Sequence, residues 1–94
     1  FYDAPCLVLI LGSDELEMLD ADSSLTAAYM MFAATERGLG TCWINLGARI
    51  RKPELLARLG VPEGCRIVAP IIIGYPESIP EASVRHAPEV LKVI

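Results

Sequence analysis

Apolar positions along this chain fall in blocks rather than in stripes. Cys6-Leu-Val-Leu-Ile-Leu11 is a continuous apolar run, preceded by Pro5 and closed by Gly12. Such a run predicts a strand covered on both faces. The next stretch, 13–22, holds Asp14, Glu15, Glu17, Asp20 and Asp22 and reads as a solvated loop leading to a helix. That helix is predicted over 23–37. Asp22 or Ser23 can cap it, and the acids before it suit the positive end of its dipole. Gly38 is placed to stop it in a left-handed cap, with Leu39 as the apolar contact beyond. Between these signals stand Leu25, Ala27, Ala28, Tyr29, Met30, Met31, Phe32, Ala33 and Ala34, apolar around the whole circumference. A helix of that kind must be buried on all sides. One face can pack on a sheet of this chain; the other needs a partner.

The second half is more punctuated. Gly40-Thr-Cys-Trp-Ile-Asn-Leu46 predicts a strand or extended loop, ending at Gly47. A short helix fits 53–59, with Pro53 at its first position and Gly60 past its end. Arg66-Ile-Val-Ala-Pro-Ile-Ile-Ile-Gly74 is a third strand, where Pro70 predicts an edge position or a bulge because proline cannot donate to the ladder. From Glu77 the pattern is loop-like until Val90-Leu-Lys-Val-Ile94. That apolar tail is too short to stand alone and is expected to add as a strand to another element.

Composition sharpens the expectation of a partner. Hydrophobic residues make up 53% of 94 positions, and exchanging the three Tyr for the seven Gly in that count gives about 57%, against ~45–50% in ordinary soluble domains. A domain this small has too little interior for so many apolar residues. Net charge is −4, which argues against a general nucleic-acid surface while leaving room for a local basic pocket. No apolar run is long enough to span a bilayer, and no signal-peptide pattern is present. Cys6, Cys42 and Cys65 are an odd number at wide spacing, expected to be buried, reduced thiols of a cytoplasmic protein. The first residue is Phe1 rather than Met, so an N-terminal portion is expected to be missing.

Several chemistries find no support. One histidine, His86, with no CxxC or HExxH, leaves no protein-ligated metal site. No G-x-S-x-G occurs, and the P-loop lysine is absent. Gly38-Leu-Gly40 follows a helix and precedes a strand, the reverse of a dinucleotide fingerprint. Arg49, Arg51 and Lys52 form a small basic cluster that could serve a phosphate or nothing.

Ala4-Pro5 before a strand, the acidic entry to an apolar helix, Glu36-Arg-Gly-Leu-Gly-Thr-Cys-Trp-Ile-Asn45, Leu59-Gly-Val-Pro-Glu63, Ile73-Gly-Tyr-Pro76 and Arg85 occur in one order. Together they resemble the C-terminal half of the nitroreductase family, FMN-dependent NAD(P)H oxidoreductases. The resemblance implies an α+β fold, a three-layer α/β/α sandwich with a mainly antiparallel sheet, incomplete here. Residues 1–94 would be the C-terminal half of one such domain, its N-terminal half absent. It implies a homodimer through helix 23–37 and the C-terminal tail, with no nucleic-acid or membrane partner.

For the site, the resemblance implies that Trp43, Ile44, Asn45, Leu46 and Gly47 lie against the flavin. A backbone N–H of Asn45, Leu46 or Gly47 would point at N5, and Arg85 would pair with the FMN phosphate. No side chain is catalytic. Hydride would pass from NADH or NADPH through flavin N5 to an electron-poor small molecule, a nitroaromatic or quinone. Two departures stand out. The basic Arg/Ser segment of the family's first half is missing, so this chain alone is expected to be inactive, and Asn45 replaces an acidic residue of some members. A non-catalytic dimerisation domain that has lost the flavin is the alternative.

Overall fold

A computed structural model describes residues 1–94. Five regular elements and one 3-10 turn are present. They are strand β1 (Cys6–Ser13), helix α1 (Leu19–Glu36), strand β2 (Gly40–Trp43), the 3-10 turn Asn45–Arg49, helix α2 (Pro53–Arg58) and strand β3 (Cys65–Gly74). The sheet order is β1-β3-β2, both pairings antiparallel. The last strand in the chain is therefore the middle one, and it is the most buried.

Pro70 lies in that middle strand, so the expected edge position is corrected; the expected bulge is found beside it. Leu9 pairs with Pro70 and Ile10 with Ala69, after which Leu11 pairs with Ile67, leaving Val68 as the extra residue. The ladder with β2 ends at Trp43 opposite Ile71, and beyond it the Ile44 N–H donates to the Pro70 carbonyl at 2.8 Å. In an antiparallel strand the N–H and C=O of one residue face the same neighbour. The donor that Pro70 lacks would have faced the point where β2 leaves the sheet, and there its loss breaks no ladder bond.

Alternation along the strands divides the sheet faces. Ala69, Ile71 and Ile73 lie under α1 with Ala27, and Ile10, Met30, Met31 and Trp43 pack round them. Helix α1 starts four residues earlier than predicted, and neither Asp22 nor Ser23 caps it; Met18 occupies the cap without a side-chain bond, and Ser23 is buried inside the helix. Tertiary contacts explain the difference. Leu19 packs directly on Gly12 of β1, where a Cβ would collide with its Cδ1. Asp20 receives two hydrogen bonds from Arg66 at the start of β3, at 2.9 and 2.8 Å. Two of the acids expected in solvent, Asp14 and Asp20, thus clamp one arginine, Asp14 at 3.0 Å from its Nε. At the other end Gly38 adopts φ 74° and the Leu39 N–H bonds the Ala34 carbonyl, the left-handed stop expected there.

On the far face of the sheet the 3-10 turn packs over Pro70. A Cβ on Gly47 would sit 2.7 Å from Pro70 Cγ and 3.0 Å from Phe1 Cε1. The rest of this face is open, so β1 is not covered on both sides as its apolar run predicted: none of its residues is fully buried. The cysteine expectation is corrected for the same reason. Cys6 on the edge strand β1 and Cys42 on the edge strand β2 are exposed, Cys65 is half-buried, and all three are free thiols. Helix α1 leaves Leu25, Tyr29 and Phe32 on its outer side, 62–76% exposed. The segment after Gly74 has no regular structure, and Val90, Leu91, Val93 and Ile94 are exposed without joining the sheet. Total accessible surface is 7898 Å², against ~5,300 Å² for a compact monomer of this mass.

Candidate functional site

Segment 43–47 is where β2 turns out of the sheet. Its first residue belongs to the core: Trp43 packs against the cluster under α1, and its indole Nε1 is buried without an acceptor. Ile44 ties the segment to β3 through its bond to Pro70. The ladder of the 3-10 turn then opens with the Gly47 N–H donating to the Ile44 carbonyl at 2.8 Å. The N–H groups of Asn45 and Leu46 precede that first bond and so have no partner within the turn. Of the three backbone donors the sequence offered, Gly47 is engaged; Asn45 and Leu46, both exposed, are not. Gly47 instead supplies closeness: without a side chain it lets the turn sit directly on Pro70.

These donors border a shallow depression of about 460 Å³, with Tyr2, Cys42, Ile44, Leu46 and Ile72 in its lining. A second hollow of about 310 Å³ shares Tyr2, Ile44 and Leu46 with it and adds Phe1, Gly47 and Ile50. Both are mainly apolar. Phe1 and Tyr2 are contributors that the sequence did not single out. They arrive through a tight turn with Tyr2 at φ 57° and Asp3 at φ 53°, closed by the Ala4 N–H on the Phe1 carbonyl. Two consecutive left-handed non-glycine residues are rare, and no glycine or Asn-Gly pair announces the turn. Arg85 lies in the exposed segment after β3 and lines neither hollow.

Charge elsewhere is structural. Hydrogen bonds from Arg66 hold the Asp20 carboxyl below the usual carboxylate range, with ionic attraction adding to them and loss of water opposing. Arg66 is correspondingly raised, first by its bonds to Asp20. The trio pins the first turn of α1 to the sheet. No group of three or more His, Cys, Asp or Glu side chains converges as a metal site would require. No helix is long and apolar enough to cross a membrane.

An antiparallel sheet with a helix on one face, a 3-10 turn on the other and an apolar hollow beside that turn defines part of an α+β sandwich. The chain belongs to the nitroreductase family, whose sequence profile matches residues 1–75. Among solved structures it is similar to a Bacteroides fragilis nitroreductase with bound FMN. That match has 30% identity and a TM-score of 0.83, and covers 98% of this chain and 52% of that one. An FMN-dependent nitroreductase from Clostridium difficile matches at 28% identity and TM-score 0.74, over 87% of this chain and 51% of that one. Iodotyrosine deiodinase bound to FMN and 3-iodo-L-tyrosine shares the fold at 20% identity and TM-score 0.72, over 98% and 49%. Sequence comparison with curated proteins gives no match. The chain spans about half the length of the solved structures it matches. Its fold is the nitroreductase-like α+β sandwich, with an incomplete sheet.

Proposed function

We propose that residues 1–94 are the C-terminal half of a nitroreductase-like domain in an FMN-dependent NAD(P)H oxidoreductase. Its acceptor would be an electron-poor small molecule of the nitroaromatic or quinone class. One observation carries this reading: Asn45 and Leu46, whose N–H groups have no partner in the turn, line an apolar hollow in a chain that overlaps an FMN-bound nitroreductase over 98% of its length. FMN, when bound, supplies hydride acceptance and donation at N5. What this chain contributes is an apolar lining from Ile44, Leu46 and Ile72, and fixed backbone dipoles that favour a reduced, electron-rich ring. Fixed donors of this kind need no reorganisation during the reaction, and no side-chain acid or base is required of the chain.

Residues 1–94 alone hold only part of a flavin cradle, because Arg85 sits in an unanchored segment and no other cation lines the two hollows. We place the whole protein as a homodimer through α1 and the C-terminal tail, and in a reducing cytoplasm, which three free thiols suit. An absorbance spectrum tests the reading. The full-length protein is expected to show oxidised-flavin bands that bleach with NADH or NADPH. A colourless protein that takes up no added FMN would overturn it in favour of a dimerisation domain without flavin.

A further inference from the structure

We propose that Pro70 is a positioning residue for the flavin contact. By withholding a backbone donor in the middle strand it ends β2 at Trp43 and releases the Ile44 carbonyl to the 3-10 turn. The Asn45 and Leu46 N–H groups are thereby left free. This rests on the reading of 44–47 as the flavin contact, and concerns how the chain sets that contact in place. Trp43 stands opposite Ile71, so Ile44 falls opposite Pro70. Residues that form a hydrogen-bonded antiparallel pair exchange two bonds, each N–H donating to the other's carbonyl. Here only one of the two forms. The Ile44 N–H donates to the Pro70 carbonyl at 2.8 Å, and Pro70 has no N–H to return. The Ile44 carbonyl accepts the Gly47 N–H instead, also at 2.8 Å. That bond opens the 3-10 turn, with Ile44 as its cap residue.

An ordinary residue at position 70 would reverse this order. Its N–H would draw the Ile44 carbonyl into the ladder, and the next bonded residue of β2 would lie two positions on. That residue is Leu46, whose N–H would then be spent on β3. Proline at 70 thus acts on the donors through Ile44, without touching the flavin. Side-chain packing works in the same direction. Pro70 is among the largest fully buried side chains. A Cβ on Gly47 would lie 2.7 Å from the Pro70 Cγ and 3.0 Å from its Cβ. Gly47 is itself buried, so the turn is seated on the ring. On the other face of the sheet Trp43 packs into the core under α1. The contact segment is therefore held at both ends, by Trp43 before it and Gly47 after. A strand proline is ordinarily confined to an edge. Its place in the middle strand here, directly after the bulge at Val68, departs from ordinary sheet chemistry beside the candidate site.

Two variants of the full-length protein test this. Pro70→Ala shrinks the side chain and Pro70→Val enlarges it, while both restore the N–H. Amide hydrogen exchange reads the turn, as the rate at Gly47 relative to that at buried Ile71 in the same strand. A general loss of stability speeds both amides, so a change in the ratio belongs to the turn. Both variants are expected to raise that ratio about tenfold. Both should also weaken binding of reduced FMN relative to oxidised FMN about tenfold, which lowers the two-electron midpoint potential by about 30 mV. Ile67→Val, which trims a fully buried side chain of β3 away from the turn, should cost stability and leave ratio and potential as in the parent. A parent-like ratio and potential in either Pro70 variant overturns the role. So does a change in Ile67→Val as large as that in Pro70→Ala, which makes the effect one of general stability. If neither Pro70 variant folds, the parent decides: Gly47 must exchange at least about tenfold more slowly than Asn45 and Leu46, and equal rates overturn the role. A protein that takes up no FMN defeats the flavin reading, and the exchange ratio still decides whether Pro70 sets the turn.

Discussion

Gly47 has no room for a side chain, and the reason lies twenty-three residues away in the middle strand. A methyl group there would approach Pro70 Cγ at 2.7 Å and Phe1 Cε1 at 3.0 Å. Gly47→Ala must therefore lift the 3-10 turn or push the proline ring, at a cost of about 1–3 kcal/mol typical of overpacking. Urea unfolding of the full-length protein should show that loss, together with weaker FMN retention because the Asn45 and Leu46 donors shift with the turn. Asn45→Ala should behave differently. If the backbone does the work, FMN affinity and the rate of flavin reduction change less than threefold; a larger drop would assign the role to the side chain. The sequence left Asn45, Leu46 and Gly47 open as donors, and only the structure shows that the Gly47 N–H is engaged, since that depends on where the 3-10 ladder begins. It also missed Phe1 and Tyr2. Their turn carries two left-handed residues without glycine, a conformation that residue type does not signal.

At the scale of elements, the predictions that held rest on local chemistry, and those that failed rest on distant contacts. Gly38 and Gly60 end their helices in left-handed conformations, as glycine at those positions leads one to expect. The start of α1 is set instead by Leu19 on Gly12 and by Arg66 reaching Asp20 and Asp14, contacts that span the sheet and are invisible to a local pattern. The clamp titrates. Asp20 has a folded-state pKa held low by Arg66, so its stabilisation is present at and above the ordinary carboxylate range and is lost as pH falls below it. Asp20→Asn should therefore differ from the parent by a constant small amount at neutral pH, a gap that closes on acidification. The effect stays small because the pair is solvent-exposed. The outer stripe of α1 makes a sharper prediction. Leu25, Tyr29 and Phe32 lie three and four residues apart on one side of the helix and are largely exposed. If they meet a second copy, Phe32→Glu buries an unpaired charge there, and sedimentation should show the mass of the full-length protein halved.

For the whole molecule, the apolar excess seen in the composition becomes a measurable surface. The chain exposes 7898 Å², roughly 2,600 Å² more than a compact monomer of its mass would, and its radius of gyration is 16.2 Å against about 12 Å. Only 11 of 94 residues are buried, so the hydrophobic term is far smaller than the sequence could supply if every block found cover. The open faces are specific: the far side of the sheet, both edge strands, the outer stripe of α1 and the last five residues. An excess of this size falls in the range that obligate interfaces bury. A polypeptide of residues 1–94 produced by itself should accordingly bind a hydrophobic dye such as ANS, elute as mixed oligomers and melt over a broad range. The full-length protein should do none of these. A sharp, dye-free, monomeric transition for residues 1–94 alone would show that the open faces are tolerated as they stand, and would remove the physical case for a covering half and a dimer mate.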